Sequence, residues 1–218
     1  MSLKENYLNE INLLKNERIQ RVVEAAKVEF SVNGIKNSKL RVIAKRAKVG
    51  EASIYRYFKD KDDLIKIVAL SHWQNHANIF DDYYYGQVLI KDTGIRKVES
   101  ALNIFQLLYK NNKDFLKFVE EYDNYYSNEE LDSSISSVQH ILHEIKRKIV
   151  IIFNEGINDG TINSVVDAEE KFDFMFDVMF ATTQKLIVNT GKKIGHDQEY
   201  AEKCISDLVS MFIKYIKN

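Results

Sequence analysis

The chain has 218 residues, of which 45% are hydrophobic and 29% are charged, a composition typical of globular rather than disordered proteins. No apolar run reaches the length of a bilayer span, and the first twenty residues mix both charge signs among their leucines. We therefore expect no membrane span and no secretory signal, and a cytoplasmic protein. The single cysteine, Cys204, excludes an internal disulfide and a multi-cysteine metal site.

Proline is absent and only eight glycines interrupt the chain, so few residues break helices. We predict an all-α fold of about nine helices. Residues 1–66 contain fifteen Lys/Arg and nine Asp/Glu, which leaves sixteen and twenty-three for the remainder. A basic N-terminal segment followed by an acidic remainder indicates two domains with different partners. We place them at 1–62, including an arm at 1–16, and at 63–218.

The first helix follows from one apolar stripe. From residue 17 onwards apolar side chains recur at three- and four-residue steps as far as Phe30, and Asn33-Gly34 is a helix stop. The leucine-rich residues 1–16 keep a similar period. They either extend this helix or form a separate arm, and the sequence leaves both alternatives open.

Two short helices come next. Asn37-Ser38 offers an N-cap for a helix with Leu40, Ile43 and Ala47 on its apolar face, and "AKVG" interrupts the pattern before "EASIYRYF" resumes it. Two helices separated by about four residues predict a helix-turn-helix. Asp60 and Asp63 then form a capping pattern for a long fourth helix that ends near residue 85.

The third helix has the surface that a DNA major groove requires, with small or polar residues outside and apolar anchors inside. Ile54 and Phe58 are the predicted anchors. The outward positions are Gly50, Glu51, Ala52, Ser53 and Arg56. The hydroxyl groups of Tyr55 and Tyr57 and the ammonium groups of Lys59 and Lys61 suit contacts with phosphate.

Residues 22–64 closely resemble the DNA-binding domain of the TetR family of bacterial regulators. The resemblance rests on "ASIYRYFKDKDD": a small residue, serine, an aliphatic residue, the Tyr-x-Tyr-Phe run, and lysines ahead of an acidic pair. It implies phosphate contacts from Ser38, Tyr57 and Lys61. It also implies groove-facing positions, at Arg41, Glu51, Ala52, Ser53 and Arg56. Two positions depart from the family pattern: Gly50 replaces a capping serine, and Glu51 replaces a frequent basic residue, which leaves the base preference open.

The rest of the chain predicts further helices near 94–111, 113–126, 131–158, 167–190 and 197–216, separated by "NNKD", "SNEE", "NDGT" and "GKKIGHD". One headpiece reads only a few base pairs, so a two-fold dimer is expected. The last two helices carry more apolar residues than one core needs. Candidate dimer residues are Met175, Met179, Leu208, Met211, Phe212 and Tyr215; the alternative is that both helices only close their own domain.

An effector pocket is the third expectation, and the resemblance implies one. Aromatic residues crowd the middle of the chain, and ligand sites between helices are usually apolar with a few polar groups. The candidates are Trp73, Phe105, Tyr109, Phe118 and Tyr122, with His140, His143 and Gln184 as the polar groups. The alternative for each is plain core. Glu120, Glu121 and Asp123 suit either a cationic effector or a solvated face.

No catalytic motif emerges, so we predict that the protein is not an enzyme and holds no cofactor. The pairs His72–His76 and His140–His143 lack a third metal ligand at local spacing, which favours no metal site. The sequence thus predicts a homodimeric regulator, a repressor that binds a near-palindromic double-stranded operator and is released by a small-molecule effector. The rival hypothesis is a DNA-organising or protein-interaction factor of the same fold that needs no effector.

Overall fold

The computed structural model describes residues 3–88, 91–126, 135–189, 195 and 197–218. Nine α-helices account for most of these residues, which confirms the predicted all-α class. The predicted "SNEE" turn and most of "GKKIGHD" lie outside the described residues. Within these ranges no helix combines the length and the apolar character needed to cross a bilayer.

The helix bounds follow the predicted ones closely. The helices are α1 Leu3–Asn37, α2 Leu40–Ala47, α3 Glu51–Tyr57, α4 Lys61–Val88, α5 Gly94–Asn111, α6 Lys113–Tyr126, α7 Ile135–Asn158, α8 Ala168–Asn189 and α9 Gln198–Ile216. The arm alternative is resolved: the leucine-rich N-terminal residues continue α1, and the side chains of residues 9–18 are all exposed.

Two compact units divide the chain. The first comprises Met1–His72 with Glu121–Ile135, and the second comprises Trp73–Glu120 with Ser136–Asn218. The expected boundary at 62/63 falls within the first turn of α4, whereas the structural division falls inside α4 and again inside α6. Both helices therefore contribute residues to both units.

In the first unit the apolar stripe of α1 is buried, α1 packs against α2, and α2 packs against α3. Val22, Ala26 and Phe30 pack with Ile43 and Ile54, and all five side chains are at most 2% exposed. The stop at Gly34 is confirmed, because its backbone leaves the helical region at φ 75° and ψ 158°. The short helices α2 and α3 depend on this core, since helices of seven or eight residues are marginal alone.

Local caps agree with the sequence at α3 and α4 but not at α2. Gly50 precedes α3 as its N-cap. At α4 the Asp60 carboxylate accepts the Asp63 N–H at 2.8 Å. The predicted Asn37-Ser38 cap of α2 is wrong: the N-cap is Lys39, without a side-chain bond. Ser38 is buried and donates its hydroxyl to Gly34 O instead, so it closes the α1–α2 joint rather than capping α2.

In the second unit, α5 and α7 approach until their backbones touch. A Cβ on Gly94 would lie 2.1 Å from Gly156 N, so only glycine fits there. The "NDGT" turn completes this contact, because the Asp159 carboxylate accepts the Gly94 N–H at 2.7 Å and also bonds Thr161. These hydrogen bonds, first that of Thr161, hold the pKa of Asp159 below its ordinary value.

Candidate DNA-binding surface and effector cavity

The predicted reading face of α3 is solvent-exposed. Glu51, Ala52 and Arg56 are exposed and Ser53 is half-buried, while the anchor Ile54 on the opposite side is fully buried. The Arg56 guanidinium donates to Ser53 Oγ at 3.0 Å. The exposed face of α3 therefore consists of small and polar side chains, with the Arg56 guanidinium lying along the helix. A major groove can accept such a surface. Arg41, on α2, is exposed as well.

The three predicted phosphate contacts differ in their positions. Tyr57 is half-buried, with the Arg56 guanidinium 5.8 Å from the centroid of its ring. Lys61 donates to Ser38 O at 2.8 Å and to Lys36 O at 3.2 Å. Burial lowers its pKa, against the opposing effect of Asp62. An ammonium group has three donors, so Lys61 can hold the joint and still reach one phosphate oxygen. Ser38 is 5% exposed, and its hydroxyl is bonded inward.

The joint between α1 and α2 is held by a residue that sequence reasoning did not assign to it. Glu121, near the end of α6, accepts the backbone N–H of Ile35 at 2.7 Å. Its carboxylate occupies the space beside Gly34, where a Cβ would lie 2.8 Å from Oε2. The carboxylate fits there because glycine has no Cβ. The contact spans 86 residues of sequence, and no local pattern signals it.

The last residue of α6 contacts the beginning of α4 in the same unit. Tyr126 lies beside Asp62, and Lys66 Nζ is 6.0 Å from the centroid of its ring. Burial, followed by the negative charge of Asp62, raises the pKa of the Tyr126 hydroxyl far above its ordinary value, so it stays protonated. The end of α6 therefore holds both the α1–α2 joint and the helix that follows α3.

An apolar cavity lies within the second unit, between α4, α5, α7 and α8. Its volume is ≈ 20 Å³, which is room for about one water molecule. Every lining side chain is hydrophobic, and five of the ten are phenylalanines: Phe80, Ala101, Leu102, Phe105, Ile145, Ile149, Phe153, Phe172, Met175 and Phe176. Such a space suits an apolar chain and offers no partner to a buried charge.

Of the eight predicted effector residues, Phe105 lines this cavity. Trp73 is buried against Phe115 and Phe180, with ring centroids 5.1 and 5.8 Å away. The other six lie elsewhere. Tyr109 and Phe118 are buried, Tyr122 belongs to the first unit, His140 and His143 are exposed on α7, and Gln184 is half-buried on α8 with its amide nitrogen unpaired.

The apolar periodicity of the sequence does not identify the residues that line the cavity, because residues that pack in the core show the same periodicity. His72 and His76 are both buried on α4, and the His76 ring stacks on Phe115 with ring centroids 3.8 Å apart. Among the described residues, no group of three His, Cys, Asp or Glu side chains could hold a metal ion.

Some of the predicted dimer residues lie on the buried sides of α8 and α9, and others lie on the exposed side of α9. Met175, Met179 and Phe212 are buried inside their own unit, at 1%, 0% and 6% exposure, whereas Met211 and Tyr215 are 64% and 60% exposed. Leu208 is half-buried. Phe174, on α8, is 51% exposed and makes an edge contact with Phe212. The exposed members form an apolar surface on the outside of α8 and α9.

A short, exposed, polar helix fixed on a small apolar core, in a chain with a separate helical unit, defines a helix-turn-helix transcriptional regulator. Residues 22–68 match the family described as "Bacterial regulatory proteins, tetR family". These residues are therefore a DNA-binding domain of the TetR family of bacterial transcriptional regulators.

Similar proteins extend over nearly the whole chain. The "Fatty acid metabolism regulator protein" of Bacillus subtilis (strain 168) is 26% identical over 196 residues, which cover 89% of this chain and 93% of that protein. Two solved structures share the fold. The transcriptional regulator FadR from Bacillus subtilis in complex with stearoyl-CoA has a TM-score of 0.67 at 20% identity, with 90% of this chain and 98% of that chain covered. The TetR-family regulator PfmR from Thermus thermophilus has a TM-score of 0.64 at 12% identity, with 89% and 97% covered.

Proposed function

We propose that this regulator is a homodimeric repressor of the cytoplasm, which binds a near-palindromic operator and releases it when a long-chain fatty-acyl compound enters the second unit. The observation that carries the proposal is the chemistry of the cavity, whose ten lining side chains are all hydrophobic. The names of two similar proteins, a fatty acid metabolism regulator and a regulator bound to stearoyl-CoA, agree with that chemistry.

The small volume of the cavity means that a ligand can enter only if the surrounding helices move. Sites for small molecules usually measure roughly 300–1,000 Å³, far more than the ≈ 20 Å³ present here. A fatty-acyl chain must therefore push the lining helices apart. Phe80 is the lining residue of α4, and α4 begins at Lys61 next to the recognition helix. Opening the cavity thus displaces a helix that the DNA-binding unit shares, and ligand binding shifts the population away from the DNA-bound state.

The dimer in this proposal uses the exposed apolar surface of α8 and α9. Leu208, Met211 and Tyr215 follow helical spacing along α9, with Leu208 half-buried and the other two exposed, and Phe174 is exposed on α8. Pairing this surface with its two-fold copy makes a four-helix arrangement and removes apolar area from water. Two headpieces then read two half-sites, which supplies the affinity that one headpiece lacks.

The test is release of DNA by acyl chains of graded length. Operator fragments are selected from genomic DNA with the purified protein, and fluorescence anisotropy follows their release by acyl-CoA from eight to twenty carbons, with free coenzyme A as the control. Release that rises with chain length supports the proposal. If no acyl chain releases the operator at concentrations below micelle formation, the proposed effector class is wrong.

A matched pair of substitutions locates the site. Leu102 lines the cavity, whereas Leu107 on the same helix is 44% exposed. Leu102→Phe fills the cavity and should raise the acyl-CoA concentration that half-releases DNA by about tenfold, because overpacking of a filled core is unfavourable. Leu107→Phe should leave that concentration unchanged. Equal values for the two variants would place the effector elsewhere.

A further inference from the structure

The head group of a fatty-acyl effector cannot share the cavity with the chain. All the lining side chains are hydrophobic, and an unpaired charge inside them is strongly disfavoured. A carboxylate or phosphate must therefore stay at the edge of the cavity and find a cation there. This inference rests on the fatty-acyl effector proposed above and concerns the residue that binds its head.

Lys148 and Asp81 form an ion pair between α7 and α4, and each is next in sequence to a residue that lines the cavity. Lys148 directly precedes the lining residue Ile149, and Asp81 directly follows the lining residue Phe80. Lys148 Nζ donates to the Asp81 carboxylate, and the two side chains are 16% and 36% exposed. The pair is thus partly buried yet open to solvent on the Asp81 side, so an arriving anion can replace the carboxylate.

Two other lysines near the cavity fit an anion less well. Lys97 is buried and bonded to Glu155 at 2.7 Å, beside the backbone contact of α5 and α7 that leaves no space for even a methyl group. Lys146 is bonded to Asp173 at 2.7 Å and has Glu169 at 3.6 Å. Two carboxylates repel an incoming anion. Among the described residues, Lys148 pairs with the one carboxylate of Asp81.

We propose that Lys148 binds the anionic head group of the effector in place of Asp81, and that this exchange frees α4 from α7. The ligand class is a long acyl chain that ends in an anion, either a fatty carboxylate or the phosphates of acyl-CoA. Asp81 acts as an internal competitor, so the ion pair holds α4 in the effector-free state and lowers the affinity for the effector. A hydrocarbon chain with a neutral end fills the cavity but leaves the Lys148–Asp81 pair intact.

The experiment compares three ligands that share one chain: stearate, stearoyl-CoA and methyl stearate. Binding is followed by the fluorescence of Trp73, the single tryptophan, which is buried in the second unit. The proteins are wild type, Lys148→Gln, Asp81→Asn and the control Lys146→Gln. Because a charged hydrogen bond is lost, Lys148→Gln should bind the anionic ligands roughly tenfold to a hundredfold more weakly. Its affinity for methyl stearate should not change.

Asp81→Asn removes the competitor but keeps the cation, so it should bind the anionic ligands several times more tightly, while Lys146→Gln should match wild type. Weakening with stearate alone or with stearoyl-CoA alone supports the proposal and identifies the head group as carboxylate or phosphate. Wild-type affinity for both anionic ligands in Lys148→Gln overturns this proposal but leaves the fatty-acyl effector standing. Equal weakening for methyl stearate also overturns it, since Lys148 then has a structural role only. If wild type binds none of the three ligands, the effector class itself is refuted.

Discussion

Gly34 holds the α1–α2 joint in a conformation that other residues rarely adopt, and Gly34→Ala tests whether this joint supports the DNA-binding unit. Its φ of 75° with ψ of 158° lies in a region that is essentially restricted to glycine. Forcing alanine into such a region costs roughly 1–3 kcal/mol. The new methyl group would also lie 2.8 and 3.0 Å from the two carboxylate oxygens of Glu121. The carboxylate must therefore move and give up its bond to the Ile35 N–H.

The size of the effect follows from these two terms. A hydrogen bond to a charged group contributes roughly 1.5–3 kcal/mol, and the lower end applies because Glu121 is exposed and screened. The sum is about 3 kcal/mol. For a chain of this length, about 2–4 °C of melting temperature corresponds to each kcal/mol, so Gly34→Ala should melt roughly 6–12 °C below wild type. Far-UV circular dichroism measures this, and operator affinity should fall as well.

A control and a double mutant separate the two terms. Gly86→Ala, inside α4 with nothing within 4 Å of the new Cβ, should be neutral or slightly stabilising. In a Glu121→Ala background the methyl group no longer meets a carboxylate, so the cost of Gly34→Ala should fall to the backbone term alone. A Gly34→Ala protein that melts with wild type would refute the joint geometry. An unchanged cost in the Glu121→Ala background would refute the carboxylate contact.

Three further predictions concern the two partners. Lys61→Ala should weaken operator and random DNA alike by about tenfold and reduce the salt dependence of binding, because phosphates carry no sequence; anisotropy titrations that show a loss on one sequence only would contradict this. Glu51→Ala should change the base preference, and selection from randomised duplexes that returns the wild-type site would count against a reading role. Met211→Asp should convert the dimer to monomer in analytical ultracentrifugation, whereas Val165→Asp, at an 86% exposed site, should not. A Met211→Asp dimer of wild-type affinity would exclude the α8–α9 surface.

The DNA-binding helices were predictable because their signals are local. Ile54 and Phe58 point inward at helical spacing, Gly50 precedes α3, and Asp60 with Asp63 begins α4; each needs only a few neighbouring residues to act. Ser38 shows where local signals mislead. Its hydroxyl suits an N-cap, but the carbonyl groups of the joint take its hydrogen bond, because the turn at Gly34 brings them closer.

Of the residues predicted for an effector pocket, Phe105 alone lines the apolar cavity, and the effector role of that cavity remains a proposal. Phe105 and Tyr109 are both buried aromatic residues of α5. Phe105 lines the cavity, whereas Tyr109 is fully buried and does not line it. The polar candidates His140 and His143 are on the exposed side of α7. Periodicity identifies a buried face without identifying the helix that packs against it, so it cannot separate a cavity wall from a core layer.

The amino-acid sequence by itself determined the helical class, the helix bounds to within a few residues and the exposed polar face of α3, because caps, breakers and apolar period act over one or two turns of chain. Only the tertiary structure decided that Glu121 holds the α1–α2 joint, that Lys148 meets Asp81, and which ten side chains enclose the cavity. The first two contacts join residues 86 and 67 positions apart, and the packing of whole helices, rather than any local preference, brings such residues together.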